Sequence, residues 1–448
     1  MTTDEARLRV AIVGAGPAGL YTADQLTFEN EGIIEVDLFE RLPVPFGLLR
    51  YGVAPDHSTI KSLSSTFQEI LDRPAVSLYC NVEIGRDLTV RELRDSYNAV
   101  VYATGADADR RLGLGGEDLP GSISATDFVK WYNGHPEAQP CDLTSVRTVV
   151  VVGAGNVALD VARILLKSPA GFQGTDIPPD VRTALASSAV TDVHLAARRG
   201  PEHAKFTPKE LHEFSELTGI DILVDSQEIP ELDPDGIKSV TRRNLGVLRD
   251  WAGRGTTGAP RRLHLHFNTR PTQVLGNARV NAVELESPTT TAQLPVDLVV
   301  RAIGYQSRPL VDVPYVEPTI TIPHREHRVQ RDGIDSPGEY AVGWVKRGPS
   351  GILGTNRRDA VATAEAILSD ELPRLSGNAR TPVSEILADR ELGFLDKNSW
   401  AQIRYAEQAL GAESGCDSVK INSWDALVAA GRTGAASTRT SSPIPSSV

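Results

Sequence analysis

Two segments of the chain share a pattern: a short apolar run, a glycine-rich turn and a helical sequence. The first, Val10 to Leu20, reads VAIVGAGPAGL, and the second, Val149 to Asp160, reads VVVVGAGNVALD. A continuous apolar run that stops at glycine is typical of a parallel strand buried on both faces. The sequence therefore predicts two strand–turn–helix units. The first has a strand over residues 8–14 and a helix over 17–28, and the second begins at Thr148.

Further apolar runs and helical periodicities fill the rest of the chain. Strands are predicted at Val36 to Glu40, Tyr97 to Thr104, Asp192 to Ala197 and Asp297 to Ile303, and helices over 58–71, 357–369, 382–390 and 400–410. Residues 43–57 predict an ordered loop, and residues 220–300 predict short strands and turns. Residues 435–448 are dominated by Ser, Thr and Pro, which predicts a disordered tail. Strands alternating with helices indicate an α/β fold.

Composition and charge narrow the class of protein. Hydrophobic residues make up 40% and charged residues 23% of the 448, as in globular proteins, and the net charge of −12 disfavours a general nucleic-acid binder. No apolar run approaches a membrane span, and the start MTTDEARLRV lacks a signal-peptide pattern. We therefore expect a cytoplasmic protein with neither a nucleic-acid partner nor a membrane span. Cys80, Cys141 and Cys416 form no C-x-x-C, which argues against a disulfide framework, a redox dithiol or a metal site.

The first glycine turn has the spacing of a dinucleotide-binding site. Gly14 permits the tight turn, Gly16 lets the backbone approach a pyrophosphate, and Gly19 lets helix and strand pack closely. Glu40 ends the next strand 21 residues after Gly19, where a carboxylate binds ribose hydroxyls. A chance glycine turn is the alternative. The acid favours an adenine dinucleotide without a 2′-phosphate, FAD or NAD.

The second glycine turn repeats this spacing with Gly153, Gly155 and Ala158. Its next strand ends on Arg198 and Arg199, where a ribose-binding acid would otherwise lie. Two guanidinium groups attract the 2′-phosphate of NADP, whereas an acid repels it. A solvated charge pair at a strand end is the alternative. Holding FAD at one turn and NADP(H) at the other predicts hydride transfer between nicotinamide C4 and flavin N5.

Several longer motifs together resemble one enzyme family. They are PFGLLRYGVAPDH (Pro45 to His57), GNVALD ending at Asp160, FTPKEL (Phe206 to Leu211) and GWVKRGPSGILGTNRRDA (Gly343 to Ala360). Ala103-Thr104-Gly105 and Ala302-Ile303-Gly304 resemble the points where two-dinucleotide-binding-domain flavoproteins cross between their domains. The combination is similar to the adrenodoxin-reductase-like ferredoxin–NADP⁺ reductases, including bacterial members, over residues 8 to about 425.

The resemblance implies two Rossmann-like domains, with an NADP-binding domain (107–329) inserted into a discontinuous FAD-binding domain (1–106 and 330–434). It also implies the residues of both sites. The flavin site would include Ala15, Glu40, Leu48, Val82, Trp344, Gly351, Ile352 and Leu353. NADP(H) would contact Asn156, Val157, Arg198, Arg199, Glu210 and Gly351. A helix starting near Asn356 would direct its N-terminus at flavin N1 and O2.

His57 and Asp160 match the family pair near the flavin–nicotinamide contact. From the sequence alone, His57 is equally well a loop histidine with satisfied hydrogen bonds, and Asp160 a carboxylate on a helix face. We interpret them as catalytic-site groups that tune and position the reacting rings, with a proton route as the alternative, because hydride transfer to a flavin requires no protein base.

The same resemblance implies an acceptor for the electrons, a ferredoxin or another small acidic carrier. Arg242, Arg243, Arg249 and Arg254, with Arg261 and Arg262 nearby, could form its basic docking surface, or equally a solvated face. One alternative function is the electron-input flavoprotein of a larger complex of the glutamate-synthase type. Others are an NADPH diaphorase with a non-ferredoxin acceptor and a protein that holds FAD structurally.

Overall fold

The structure is a computed structural model that describes residues 7–28, 30, 32–351, 353–375 and 381–433. Its strands are β1 (Leu8–Val13), β2 (Ile34–Glu40), β3 (Val76–Cys80), β4 (Ala99–Tyr102), β5 (Ala108–Asp109), β6 (Ser122–Ser124), β7 (Thr148–Val152), β8 (Asp192–Ala196), β9 (Ile220–Val224), β10 (Arg261–His266), β11 (Arg270–Gly276), β12 (Val280–Glu286), β13 (Thr291–Pro295), β14 (Leu298–Arg301), β15 (Tyr305–Gln306), β16 (His324–Arg325), β17 (Arg328–Arg331) and β18 (Ile334–Ala341).

The α-helices are α1 (Pro17–Thr27), α2 (Gly47–Tyr51), α3 (Ser58–Lys61), α4 (Leu63–Leu71), α5 (Val90–Ser96), α6 (Ala125–Tyr132), α7 (Asn156–Leu166), α8 (Pro179–Ala186), α9 (Pro208–Ser215), α10 (Ser239–Ala252), α11 (Trp344–Arg347), α12 (Leu353–Glu371), α13 (Val383–Asp389), α14 (Lys397–Ser414) and α15 (Trp424–Arg432). Among the described residues, none of these helices is both long and apolar enough to cross a membrane.

The chain divides into two compact units. The first contains the described residues up to Ala108 and those from Tyr305 onward. Its seven-stranded sheet has the order β16-β17-β18-β4-β1-β2-β3. The five strands from β18 to β3 are parallel, and β16 and β17 extend one edge as antiparallel strands. This strand order, with β1 between β2 and β4, is that of a doubly wound dinucleotide-binding sheet.

Strand β1 shows why the sequence reads as a continuous apolar run. Leu8, Val10 and Ile12 enter the core cluster on one face of the sheet, and Ala11 and Val13 enter the cluster on the other face. All five side chains are at most 5% exposed. Because helices cover both faces of a parallel sheet, the side chains on both faces of the strand are buried. Apolar residues therefore follow one another along the strand and do not alternate with polar residues.

The second unit contains Asp109 to Gly304. Its six-stranded sheet is parallel throughout, in the order β6-β14-β7-β8-β10-β9, and a separate antiparallel sheet contains β11, β12 and β13. As in the first unit, the strand that enters the glycine turn, β7, lies inside the sheet between two partners. The fold is therefore α/β with two Rossmann-like sheets, as predicted.

The structure differs from the sequence-based predictions at three places. The chain returns to the first unit at Tyr305 and not at residue 330, because Val313, Ile322 and Val329 pack into the first unit's core. The region 220–300, predicted as strands and turns, contains the 14-residue helix α10, whose apolar face is narrow and whose sequence is rich in arginine. The predicted loop 43–57 contains the short helix α2. The predicted disordered tail lies outside the described residues.

A histidine stack covers part of one face of the second unit's sheet. His194 on β8 is in register with His264 on β10, and their ring centroids lie 4.1 Å apart with planes 8° from parallel. His194 Nδ1 lies 2.9 Å from His266 Nε2. Asp192 lies at the edge of the stack, 3.0 Å from His264 Nε2, and pairs with Arg262. Burial and the two neighbouring imidazoles lower the pKa of His194 to about 3.

We expect acid to destabilise the second unit through His194. Between its usual pKa of 6.5 and its folded value of about 3, the unfolded chain binds a proton that the folded chain does not. Stability therefore falls as the pH drops through this window. Between pH 6.5 and about 4.5, the His194→Gln variant should lose less unfolding free energy than the wild type, by about 1–2 kcal/mol. Urea unfolding at a series of pH values measures this difference.

The exposed His212 on α9 provides the control. His212→Gln should keep the pH dependence of the wild type. Parallel pH profiles for His194→Gln and the wild type would contradict the prediction.

Candidate functional site

The first glycine turn is closed by backbone contacts that leave no room for a side chain. Gly14 donates its N–H to the Phe39 carbonyl at 2.7 Å and has φ +112°. A Cβ at Gly14 would lie 2.5 Å from the Ala103 carbonyl oxygen, and one at Gly19 would lie 2.1 Å from the Gly14 oxygen. Helix α1 then starts at Pro17 with Gly16 as its N-cap, and no described side chain caps it. Its first N–H groups therefore remain available to an anion such as a pyrophosphate.

Glu40 joins this turn to the segment that follows β2. Its Oε2 accepts the Ala15 N–H at 3.2 Å and its Oε1 accepts the Leu42 N–H at 3.0 Å, while the Val82 N–H binds the Glu40 carbonyl at 3.0 Å. Burial raises the pKa of the Glu40 carboxyl, against the opposing effect of these two N–H donors. The structure thus brings together three of the predicted flavin residues, Ala15, Glu40 and Val82. Each carboxylate oxygen keeps a second lone pair for a ribose hydroxyl.

The loop 43–57 approaches the same turn. Phe46 donates its N–H to the Ala15 carbonyl at 2.9 Å, and a Cβ on Gly47 would lie 3.2 Å from Gly16 Cα. Leu48 follows on the half-buried side of α2. His57 ends the loop, is 7% exposed, and accepts the backbone N–H groups of Ile60 and Lys61 with its carbonyl. The loop therefore closes over the turn next to Gly16.

A third segment, Gly343 to Leu353, reaches the first turn of α1. Gly343 has φ +78°, and a Cβ there would lie 2.6 Å from Ala18 Cβ. Trp344 is half-buried, donates Nε1–H to the Ser350 carbonyl at 3.1 Å, and lies 5.6 Å from the Tyr305 ring. Gly351 has φ +88°, and α12 begins at Leu353, three residues before the predicted start. Ile352 lies outside the described residues.

Asp359 holds this segment together. Its carboxylate accepts the Gly343 N–H at 2.7 Å and binds Lys346 Nζ and Arg347 Nη1, the latter at 2.7 Å. Lys346 Nζ also lies 2.8 Å from His327 Nδ1. Burial lowers the pKa values of Lys346 and Arg347, and the Asp359 carboxylate raises both. Sequence reasoning missed this cluster, although the charges of Lys346, Arg347 and Asp359 all lie inside the quoted motif.

The second glycine turn has the same construction in the second unit. Gly153 donates its N–H to the Ala196 carbonyl at 2.9 Å, and a Cβ there would lie 2.2 Å from the Ala302 oxygen. Gly155 is the N-cap of α7, no described side chain caps this helix, and a Cβ on Gly155 would meet no described atom within 4 Å. Ala158 is completely buried at the third position. The space in front of α7 is thus open for a phosphate.

Arg198 and Arg199 follow β8 at the carboxyl edge of this sheet. Both are exposed, and among the described residues neither forms an ion pair with a carboxylate. Their charges are therefore available to an anion that reaches this edge. This exposure fits both the predicted 2′-phosphate site and a solvated charge pair, so the 2′-phosphate site stays a prediction.

The remaining predicted NADP(H) residues lie on α7 and α9. Asn156 is the first residue of α7, and its Oδ1 accepts the Thr207 N–H at 2.9 Å, so it also connects α7 to the start of α9. Val157 follows in the first turn of α7, and Glu210 is 9% exposed on α9. Asp160 pairs with the buried Arg163 at 2.7 Å, which fixes its carboxylate on the helix. Their contacts with a nucleotide stay a prediction.

The arginines predicted as a docking surface are largely neutralised. Arg242 and Arg249 on α10 both bind Asp233, Arg254 binds Asp250, and Arg262 binds Asp192. Arg261 donates instead to the backbone carbonyls of Leu166 and Lys167. This stretch therefore carries much less net positive charge than its sequence indicates.

Comparison with known proteins gives matches over most of the chain. Residues 8–237 match the pyridine nucleotide-disulphide oxidoreductase family. The NADPH-ferredoxin reductase FprA of Mycobacterium leprae is 36% identical over 442 residues, covering 92% of this chain and 96% of the relative. The human mitochondrial NADPH:adrenodoxin oxidoreductase is 38% identical over 448 residues, covering 92% of this chain and 90% of the relative. The structure of Mycobacterium tuberculosis FprA in complex with NADPH superposes with a TM-score of 0.89 at 36% identity, over 95% of this chain and 99% of that chain.

We expect Asp359→Asn to destabilise the first unit by about 2–3 kcal/mol, because it leaves two largely buried cations without a counter-charge. The amide oxygen can still accept the Gly343 N–H, while the amide NH2 replaces the oxygen that accepts from Lys346. Urea unfolding of the FAD-free protein measures the change. Glu365→Gln, at an exposed position of the same helix, is the control and should change stability by less than about 0.5 kcal/mol. Equal stability of Asp359→Asn and the control would contradict the prediction.

Proposed function

The chain belongs to the pyridine nucleotide-disulphide oxidoreductase family, in the group of FprA and adrenodoxin reductase, and we propose that it is an NADPH–ferredoxin oxidoreductase that binds FAD. The observation that carries this proposal is the pair of glycine turns with opposite charge at the end of the following strand. Glu40 stands at this position in the first unit, and Arg198 and Arg199 stand there in the second. One polypeptide thus has a site suited to FAD and another suited to NADPH.

The residues of the first unit fit FAD. The uncapped N-terminus of α1 and the side-chain-free approach at Gly16 suit a pyrophosphate, and Glu40 suits the adenosine ribose. When bound, FAD supplies a ring that accepts a hydride and passes electrons on singly. Trp344 would offer an aromatic face to this ring, and the Asp359 cluster holds the Gly343–Trp344 turn against α1.

The residues of the second unit fit NADPH. The first turn of α7 offers its N–H groups to the pyrophosphate, and Arg198 and Arg199 bind the 2′-phosphate through charge-assisted hydrogen bonds. Asn156 and Glu210 lie on the adjoining helices α7 and α9 and complete the proposed site.

We assign positioning roles to His57 and Asp160. Hydride transfer moves the proton and its electron pair together, so neither residue has to act as a base. His57 is buried at the end of the loop over the first turn, and Asp160 is held by Arg163 on the helix that opens the second site. Burial restricts the His57 side chain and the ion pair fixes the Asp160 carboxylate, which suits both to orient the reacting rings.

The proposed acceptor is a small acidic iron–sulfur carrier such as a ferredoxin, in line with the names of the relatives. A disulfide reductase activity is disfavoured, because the three cysteines are unpaired and far apart in sequence. We also propose a cytoplasmic location, since unbridged cysteines are typical of a reducing compartment.

Rapid mixing of the FAD-loaded protein with NADPH tests the proposal. We expect the flavin absorbance to bleach, and subsequent mixing with a ferredoxin to restore it while the ferredoxin is reduced. Absence of bleaching would contradict the assignment as a reductase. Bleaching that an artificial acceptor reverses and ferredoxin does not would instead support a diaphorase with another acceptor.

We expect Arg198→Gln combined with Arg199→Gln to weaken NADPH binding about 100-fold, at roughly 1.5 kcal/mol for each charge-assisted contact. NADH lacks the 2′-phosphate, so its affinity should change less than about threefold. Steady-state kinetics with both coenzymes measure the two effects. Arg243→Gln, which removes an exposed arginine of α10 with no carboxylate partner among the described residues, is the control. Equal losses for NADPH and NADH would show that the arginines do not read the 2′-phosphate.

A further inference from the structure

We propose that helix α14 holds the flavin loop, residues 43–57, in its FAD-binding shape, with Glu407 and Trp400 as positioning residues. The inference rests on the proposed function in one respect, the binding of FAD beside this loop. It assigns to the C-terminal helices α14 and α15 a part in retaining the coenzyme.

The flavin loop has a conformation that needs support from outside. Phe46 has φ +86°, a left-handed value that a bulky side chain adopts only under constraint, and it is 5% exposed. The following Gly47 has φ +48° and lies against Gly16, the residue whose missing side chain lets a pyrophosphate approach. Relaxation of Phe46 would move Gly47 and Leu48 relative to the glycine turn. The loop shape therefore bears directly on FAD binding.

Trp400 on α14 supplies one support. Its ring packs edge-on against Phe46, with centroids 5.6 Å apart and planes at 86°. The indole N–H donates to Gln68 Oε1 at 2.9 Å, which fixes the orientation of the ring. The Phe46 ring also packs against the Phe67 ring, with centroids 6.0 Å apart, so the Phe46 side chain is held from two sides.

Glu407 on α14 supplies the second support. It forms a two-point ion pair with Arg50 of the flavin loop, one contact being 3.1 Å from Nη1 to Oε2, and the side chains are 9% and 6% exposed. Arg50 also lies over the Trp400 ring at 5.6 Å, which links the two supports. Glu407 Oε1 further accepts the Ile421 N–H at 2.9 Å, so the carboxylate is held in place by its own segment. A buried pair of this kind is directional, and removing one charge leaves the other uncompensated.

The residues just before α14, together with α15, also hold the residues next to Val82. Cys80 and Leu395 exchange backbone hydrogen bonds of 2.8 and 2.9 Å. The adjacent Asn81 donates to the Gly393 carbonyl at 3.1 Å and accepts the Trp424 indole N–H at 3.2 Å. Leu48 and Val82 are two of the residues predicted to contact FAD. Both thus lie close in sequence to residues that α14, α15 or the residues just before α14 hold in place. If the C-terminal helices only covered the apolar core, these polar contacts would not be required.

The test compares FAD release from the holoenzyme of Glu407→Gln with that of the wild type. After dilution, the rise of free-FAD fluorescence should be at least tenfold faster in the variant. The affinity for 2′,5′-ADP, a probe of the second unit alone, should remain within twofold. Glu413→Gln, at an exposed position on the same helix, is the matched control and should release FAD at the wild-type rate.

Arg50→Lys keeps the charge but loses the two-point contact, so its release rate should lie between those of the wild type and Glu407→Gln. It covers the case in which Glu407→Gln does not fold. Wild-type release rates in both variants, together with a lowered urea midpoint of the FAD-free protein, would overturn the inference and leave a purely structural ion pair. Failure of the wild type to bind FAD would overturn the proposed function and this inference together.

Discussion

Both units depend on one constraint: a parallel strand must end against a helix start with no side chain between them. In each unit the first glycine of the turn donates its N–H to the end of the neighbouring strand, to Phe39 in one case and to Ala196 in the other. In each unit the carbonyl of a second strand end, Ala103 or Ala302, occupies the place where a Cβ would project. The backbone is therefore closed behind the turn and open in front of it. The free N–H groups of the helix face that open side, where a phosphate binds.

The two turns are equivalent in their backbone, but the charge at the end of the next strand differs between the units. Glu40 is tied to its turn by the Ala15 N–H, so its carboxylate is fixed beside the turn, where it would accept the ribose hydroxyls of the proposed FAD. Arg198 and Arg199 are exposed and have no carboxylate partner among the described residues. A fixed acid suits neutral hydroxyls, which need directional acceptors, whereas two exposed guanidinium groups suit a dianionic phosphate, which attracts them from several directions. This difference supports a division of labour between the units.

The features that the sequence predicted are those that depend on neighbours in the chain. The strands, the glycine turns and the residue at the end of the next strand all follow from local patterns, and the structure has them at the expected places. Helix α10 was missed because its core-facing apolar residues, Leu245, Val247, Leu248 and Trp251, stand among many polar residues. The neutralised arginines were missed because Asp233, which binds two of them, precedes the helix and has no pattern linking it to them. The pairing of Arg50 with Glu407 spans 357 positions, a separation at which no periodicity carries information.

Buried ion pairs recur beside the glycine turn of the first unit, and their energetic cost helps to explain why. Loops lack the regular hydrogen-bond ladders that fix strands and helices, so their geometry must come from side chains. Apolar contacts are non-directional, whereas a two-point ion pair or a carboxylate that accepts several donors fixes orientation as well as distance. Asp359 fixes the Gly343 turn and Glu407 fixes the flavin loop, each through charges that would be expensive to bury unpaired. We infer that these pairs contribute more to the position of the two segments than to the net stability of the fold, since desolvation offsets much of their attraction.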